Sequence, residues 1–230
     1  VVKTLFPLPQ AATALTMATN NTDLAVMSMS GGSVNLATVT PNGQVTQLAK
    51  WSSYIGENLA VDSNGTYAAP LGAGGVQVLR IDSFGAMTTL VPSPAIGKGK
   101  PRGIAIDINS GGYFVGEIPN LFRILPSGTS TVVHTNVAIN NGIDMISDAR
   151  SGDVVISQQA SLVRVDPSSG VMTTIQGGFS GCLPGLAYDR TNDAWVMVGS
   201  CANTNFNLYR VTRAGALTTV VGVSGATDIE

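Results

Sequence analysis

Charge is scarce in this chain: Asp, Glu, Lys and Arg make up 11% of 230 residues, against about 25% in an average globular protein. Twelve basic and 14 acidic residues leave a formal net charge of −2, so there is no basic footprint for nucleic acid or an anionic lipid surface. Histidine occurs once, as His134, and cysteine twice. That excludes a Cys/His zinc cluster and leaves His-based dyads and triads with a single candidate base. Aromatic residues are 6% of the chain. No apolar run approaches the roughly 18–20 residues that carry a helix across a bilayer. Neither a phosphate-binding glycine loop opening a helix nor a Gly-x-Ser-x-Gly elbow is present. The chain opens at Val1 rather than Met, the pattern expected of a processed or excised polypeptide.

Turn residues and apolar residues are plentiful instead. There are 27 Gly and 11 Pro, and 44% of the chain is hydrophobic, which rules out a disordered chain. Five segments share one form: an apolar strand, a turn ending in Gly, and a Thr-rich strand. They are VNLATVTPNGQVTQLA from Val34, VQVLRIDSFGAMTTLV from Val76, NLFRILPSGTSTVVH from Asn120, SLVRVDPSSGVMTTI from Ser161 and NLYRVTRAGALTTVV from Asn207. Their turn glycines, Gly43, Gly85, Gly128, Gly170 and Gly215, are spaced 42, 43, 42 and 45 residues apart.

Another pair of alternating segments precedes each hairpin, for example GIAID and YFVGE around Asn109-Ser110-Gly111-Gly112. Alternation, β-branched residues and Asn/Asp/Gly turns predict strands and hairpins. Four strands every 43 or so residues predict an all-β propeller, one domain over 1–230, with repeats at about 12–49, 57–92, 102–136, 141–176 and 183–223. Strands A to D run from the axis outward. Five blades are expected; six, with one incomplete, is the alternative, since VVKTLFP resembles a strand D and ATDIE the start of a strand A. Arg80, Arg123, Arg164 and Arg210 recur at one place in strand C, with Thr38 in the first repeat, which points to blade packing.

Cys182 falls just before strand A of the fifth repeat and Cys201 just after strand B. These are the open ends of one hairpin, so a disulfide is expected; closing such a loop is worth about 3 kcal/mol. Asn20-Asn21-Thr22 and Asn64-Gly65-Thr66 are glycosylation sequons in predicted turns. Together with sparse charge they imply a secreted, extracellular protein.

Propeller ligands gather where the channel opens, on the segments entering strand A and the loops joining B to C. Aligned repeats place Thr13, Glu57, Arg102, Asn141 and Pro184 just before strand A, with Asp228 beside that position in the terminal ATDIE. Asn58, Asn140 and Asp144 lie nearby, and Glu117 and Gln158 belong to B–C loops. Glu57, Asn141 and Asp228 supply the hard oxygens suited to Ca²⁺ or Mg²⁺. Glu57 and Asp228 alternatively serve as acid and base, and Arg102 as an anion clamp. Aromatics occupy non-equivalent positions, which argues against a repeated lectin site but leaves a protein-binding face open.

The pattern G-[IL]-A-x-D, a Gly turn, then L-x-R-[IV]-D-P-x-[ST]-G-x-x-T-T resembles the NHL-repeat, virginiamycin B lyase and gluconolactonase/regucalcin-like propellers over nearly the whole chain. Within the gluconolactonase/regucalcin-like group the resemblance implies a channel-mouth divalent metal held by Glu, Asn, Asn and Asp. Glu57, Asn141 and Asp228 match three of these positions, and Pro184 stands at the second Asn. Lyase chemistry of the virginiamycin type implies a channel histidine, whereas His134 falls in an outermost strand. The resemblance implies a small-molecule hydrolase, or a metal-free lyase or cyclase. A non-catalytic propeller that binds a glycan, peptide or protein partner is the alternative.

Overall fold

A computed structural model describes residues 12–18, 23–30, 32–52, 58–72, 75–92, 94–97, 101–137, 144–158, 160–179, 185–199 and 205–224. Five four-stranded antiparallel sheets form a ring, a five-bladed β-propeller. Blade 1 contains β1 (Ala12–Met17), β2 (Leu24–Ser30), β3 (Ser33–Val39) and β4 (Val45–Trp51). Blade 2 contains β5 (Ala60–Val61), β6 (Tyr67–Leu71), β7 (Gln77–Ile81) and β8 (Met87–Leu90). Blade 3 contains β9 (Pro101–Asp107), β10 (Gly112–Glu117), β11 (Asn120–Ile124) and β12 (Ser130–Thr135). Blade 4 contains β13 (Asp144–Ser147), β14 (Val154–Gln158), β15 (Ser161–Val165) and β16 (Met172–Gly177). Blade 5 contains β17 (Gly185–Asp189), β18 (Ala194–Gly199), β19 (Asn205–Thr212) and β20 (Leu217–Ser224). Each blade uses four consecutive strands, and no helix occurs among the described residues.

Period-2 alternation gives each blade two apolar faces, which neighbours must cover. In β10, Tyr113 and Val115 pack toward blade 2, while Phe114 packs toward blade 4. Four apolar clusters fill the seams between blades 1 and 2, 2 and 3, 3 and 4, and 4 and 5.

The recurrent turn glycine has two physical reasons. All five adopt φ between +70° and +88°, where a side chain is strained. A Cβ on Gly170 would also lie 2.5 Å from the Val133 carbonyl oxygen of the preceding blade, and one on Gly215 would lie 2.6 Å from that of Ile175. Gly85 abuts Leu48 and Gly128 abuts Val91 in the same way. The 43-residue glycine period is thus the spacing of inter-blade contacts.

Asp and Arg side chains of the repeat stitch strands within blades. Asp62 Oδ1 accepts from the backbone N–H groups of Asn64 and Thr66, both at 2.9 Å. Arg123 donates to Asp107 at 2.7 Å, and Arg210 pairs with Asp189 and Arg164 with Asp153, both at 3.3 Å. Burial pushes the Asp107 carboxyl up, but Ser110 and Arg123 together hold it below the usual carboxylate range.

The fifth seam differs. Strand registers make Val196 the counterpart of Ala68, Phe114 and Val155, and Leu208 that of Val78, Leu121 and Leu162. All six counterparts are fully buried, whereas Val196 and Leu208 are half-buried. Val220 is 45% exposed where Leu90, Val133 and Ile175 are half-buried. No apolar cluster joins blades 5 and 1 among the described residues.

Candidate functional site

The innermost strands enclose an axial cavity of about 220 Å³. At its head sit Asn58 and Asp144, each only 8% exposed. The Asn58 amide donates to Asp144 Oδ1, joining blades 2 and 4 across the axis. Asp144 Oδ1 also accepts from the Met145 N–H, and Oδ2 from the Leu186 N–H of blade 5, both at 2.8 Å. Asn58 Oδ1 accepts from the Leu59 N–H at 2.6 Å. Ser157 fixes the start of β13, since its hydroxyl lies 3.1 Å from both the Asp144 N–H and the Asp144 carbonyl.

Strand register explains how two residues 86 apart meet. Ala14, Asn58, Gly103, Asp144 and Gly185 occupy one equivalent position, the innermost ring of the channel. Gly103 holds that position in blade 3, the blade between those of Asn58 and Asp144. This register also corrects the repeat alignment. Asp144, not Gly142, is the counterpart of Asn58, so blade 4 is offset by two residues and Asn141 is not the counterpart of Glu57 and Arg102. Gly142-Ile143 mimics the Gly103-Ile104 pair within β9, which misleads an alignment made on sequence.

Of the expected site residues, the structure brings Asn58 and Asp144 together. Arg102 is half-buried in β9, one residue before Gly103, and is not among the described residues that line the cavity. Glu117 and Gln158 are buried at the ends of β10 and β14, away from that lining. Asn64 is exposed in the turn between β5 and β6. Glu57, Asn140, Asn141, Asp228, Asn20, Cys182 and Cys201 lie outside the described residues. His134 donates from Nδ1 to the Gly170 carbonyl at 2.8 Å, tying blade 3 to blade 4 at the perimeter.

Ca²⁺ takes six to eight oxygen ligands. At the axis the described residues offer one carboxylate and one amide, both already hydrogen-bonded. No group of three metal-capable side chains occurs among the described residues, so these residues alone do not fit a divalent ion.

A second cluster joins blades 4 and 5 on the face carrying the A–B turns. Arg213 chelates Asp148, donates to Asp193 at 2.7 Å, and lies over the rings of Tyr188 and Trp195 at 5.4 and 5.3 Å. Arg150 reaches Asp193 at 2.6 Å. The Arg213 hydrogen bonds hold the Asp148 carboxyl down at about 2. The only sequence signal for this cluster is that Arg213 stands outside the strand-C arginine row. Its charged groups are paired with one another, so it acts as a pin between blades.

No family model and no curated protein matches the chain. Solved structures do. A protein of unknown function from Bacteroides thetaiotaomicron superposes with a TM-score of 0.73 at 14% identity, over 94% of this chain and 59% of that one. This chain therefore spans less than two thirds of that protein. A chain of the nidogen/laminin complex gives a TM-score of 0.69 at 14% identity, covering 89% of this chain and 80% of that chain. A gluconolactonase from Xanthomonas campestris gives 0.61 at 13% identity, covering 81% and 68%. At such identities the likeness establishes the fold: this chain is a β-propeller of the architecture that a gluconolactonase and a laminin-complex protein share.

Proposed function

We propose that this is a secreted small-molecule propeller, a hydrolase or lyase-type enzyme, whose ligand lies in the axial cavity against the Asn58–Asp144 pair. One observation carries the reading: two buried polar side chains from blades 2 and 4 face each other at the head of the axial cavity. Asp144 is the acceptor that orients the ligand's donor group, and the Asn58 amide is the donor that yields to it or polarises its carbonyl. In a hydrolytic reaction Asp144 is the group placed to position the attacking water. Asp144 already accepts from three donors, which favours the metal-free form of this site. A panel of lactones and esters, assayed on the native chain, Asp144→Asn and Asn58→Ala, tests it. Turnover lost in both variants supports the reading; turnover unaffected by both, or absent from the native chain across the panel, contradicts it.

A non-catalytic, protein-binding propeller is the second reading. It is favoured by Phe84, 93% exposed on the outer turn of blade 2 beside Met87, at 45%. Secretion, a Cys182–Cys201 disulfide and a glycan on Asn20 or Asn64 complete the proposal. Intact mass of the secreted chain before and after reduction and deglycosylation reads all three.

A further inference from the structure

We propose that residues 1–8, Val-Val-Lys-Thr-Leu-Phe-Pro-Leu, form an outer strap that closes the ring, seated in the seam between blades 5 and 1 against Leu208 and Val220. The strap does not depend on a ligand at the axis. The described residues begin at Ala12, and the other four seams show what the segment ahead of an innermost strand does. Each such connection sets one apolar residue into the seam it crosses: Ile96 between blades 2 and 3, Val137 between 3 and 4, and Phe179 between 4 and 5, all buried. Each is tied by its backbone to the preceding blade. The Val76 N–H donates to the Ile96 carbonyl at 3.0 Å, and the Val137 and Phe179 N–H groups donate to Pro119 and Ala160 at 2.9 and 3.2 Å. Trp51, paired with Val34, holds the same place between blades 1 and 2. Trp51, Ile96, Val137 and Phe179 precede the ring residues Asn58, Gly103, Asp144 and Gly185 by seven, seven, seven and six positions. The same count back from Ala14, the ring residue of blade 1, arrives at Pro7 and Leu8.

The turn glycines give a second count. Gly85, Gly128, Gly170 and Gly215 abut the carbonyls of Leu48, Val91, Val133 and Ile175 in the preceding blade. Those four residues stand 10 to 12 positions ahead of the next ring residue. Gly43 of blade 1 shares their backbone conformation, at φ +86°, and its count falls on Val2, Lys3 and Thr4. The two counts therefore lay one stretch of chain along one seam, from the perimeter inward. The face it meets is apolar: Val220 is 45% exposed, and Leu208 and Val196 are half-buried. Val1, Val2, Leu5, Phe6 and Leu8 match that face, with Lys3 as the single charge, and their burial there drives closure.

Photo-crosslinking of the full chain tests the placement, with p-benzoylphenylalanine in place of Phe6 or Leu8 and the products mapped by peptide mass. Crosslinks within one chain to blade 5 or blade 1 are expected. Crosslinks between chains, or to other blades only, overturn the strap. Amide exchange on a chain lacking residues 1–8, and on the full chain carrying Phe6→Ser and Leu8→Ser, gives a second readout. Exchange in β19 and β20 is expected to become roughly tenfold faster, with β10 and β11 of blade 3 unchanged. Unchanged exchange in blade 5 of the doubly substituted chain overturns the proposal.

Discussion

The Asn58 side-chain amide reaches the Asp144 carboxylate across the propeller axis and so joins blade 2 to blade 4. Because Asp144 also accepts from two backbone N–H groups, its replacement is the more costly. Asp144→Ala leaves three buried donors without an acceptor, at about 1–3 kcal/mol for each that stays unpaired. Asn58→Ala, which leaves a carboxylate still holding two donors, is expected to cost about 1–3 kcal/mol. Urea unfolding of the two variants reads the order; an equal or reversed cost means the bond across the axis does not organise the channel.

Acid should loosen the joint between blades 4 and 5 late. The Asp148 carboxyl, held at about 2 by Arg213, has an unfolded value near 3.9. Its contribution, about 2–3 kcal/mol, is therefore full above pH 4 and is lost as pH falls from 4 toward 2. In Asp148→Asn that acid-dependent share should vanish. Stability measured from pH 5 to 2 in both proteins checks this, and parallel curves would contradict it.

Turn glycines should be costlier to replace than exposed glycines with similar φ. Gly178 has φ +83° and nothing within 4 Å of a built Cβ, so Gly178→Ala carries backbone strain alone, about 1–2 kcal/mol. Gly170→Ala adds the clash with the Val133 carbonyl, a further ~1–3 kcal/mol. Thermal unfolding of both variants separates the two contributions.

The seam between blades 5 and 1 should be the first to open. Leu162→Ala, in a fully buried seam, is expected to cost about 2–5 kcal/mol. Its counterpart Leu208→Ala, half-buried, should cost about 1–2 kcal/mol. Amide exchange should be faster in the strands of blades 5 and 1 than in those of blade 3. Uniform protection around the ring would contradict this.

The blade plan was legible because its markers are local. A positive-φ glycine, an Asp-capped turn and a strand-C arginine each act within one hairpin or on the adjacent blade, so their spacing survives in the sequence. Asn58 and Asp144 were legible as polar residues near the channel, but not as partners. Their meeting depends on ring closure over 86 residues, which no short window contains. The two-residue offset of blade 4 was hidden because Gly142-Ile143 imitates the start of a neighbouring strand A. The Arg213 pin was hidden because its acids, Asp148 and Asp193, sit in turns where Asp is expected anyway as a cap.

The most direct test of the axial site is an ¹⁵N chemical-shift titration of the native chain with γ-octalactone. A head group that engages Asp144 must disturb the amides bonded to it. The largest shifts are expected at Met145 and Leu186, with Leu59 next through Asn58. Shifts confined to the outer strands or to the turn bearing Phe84, with those three amides unmoved, would contradict a ligand site on the axis.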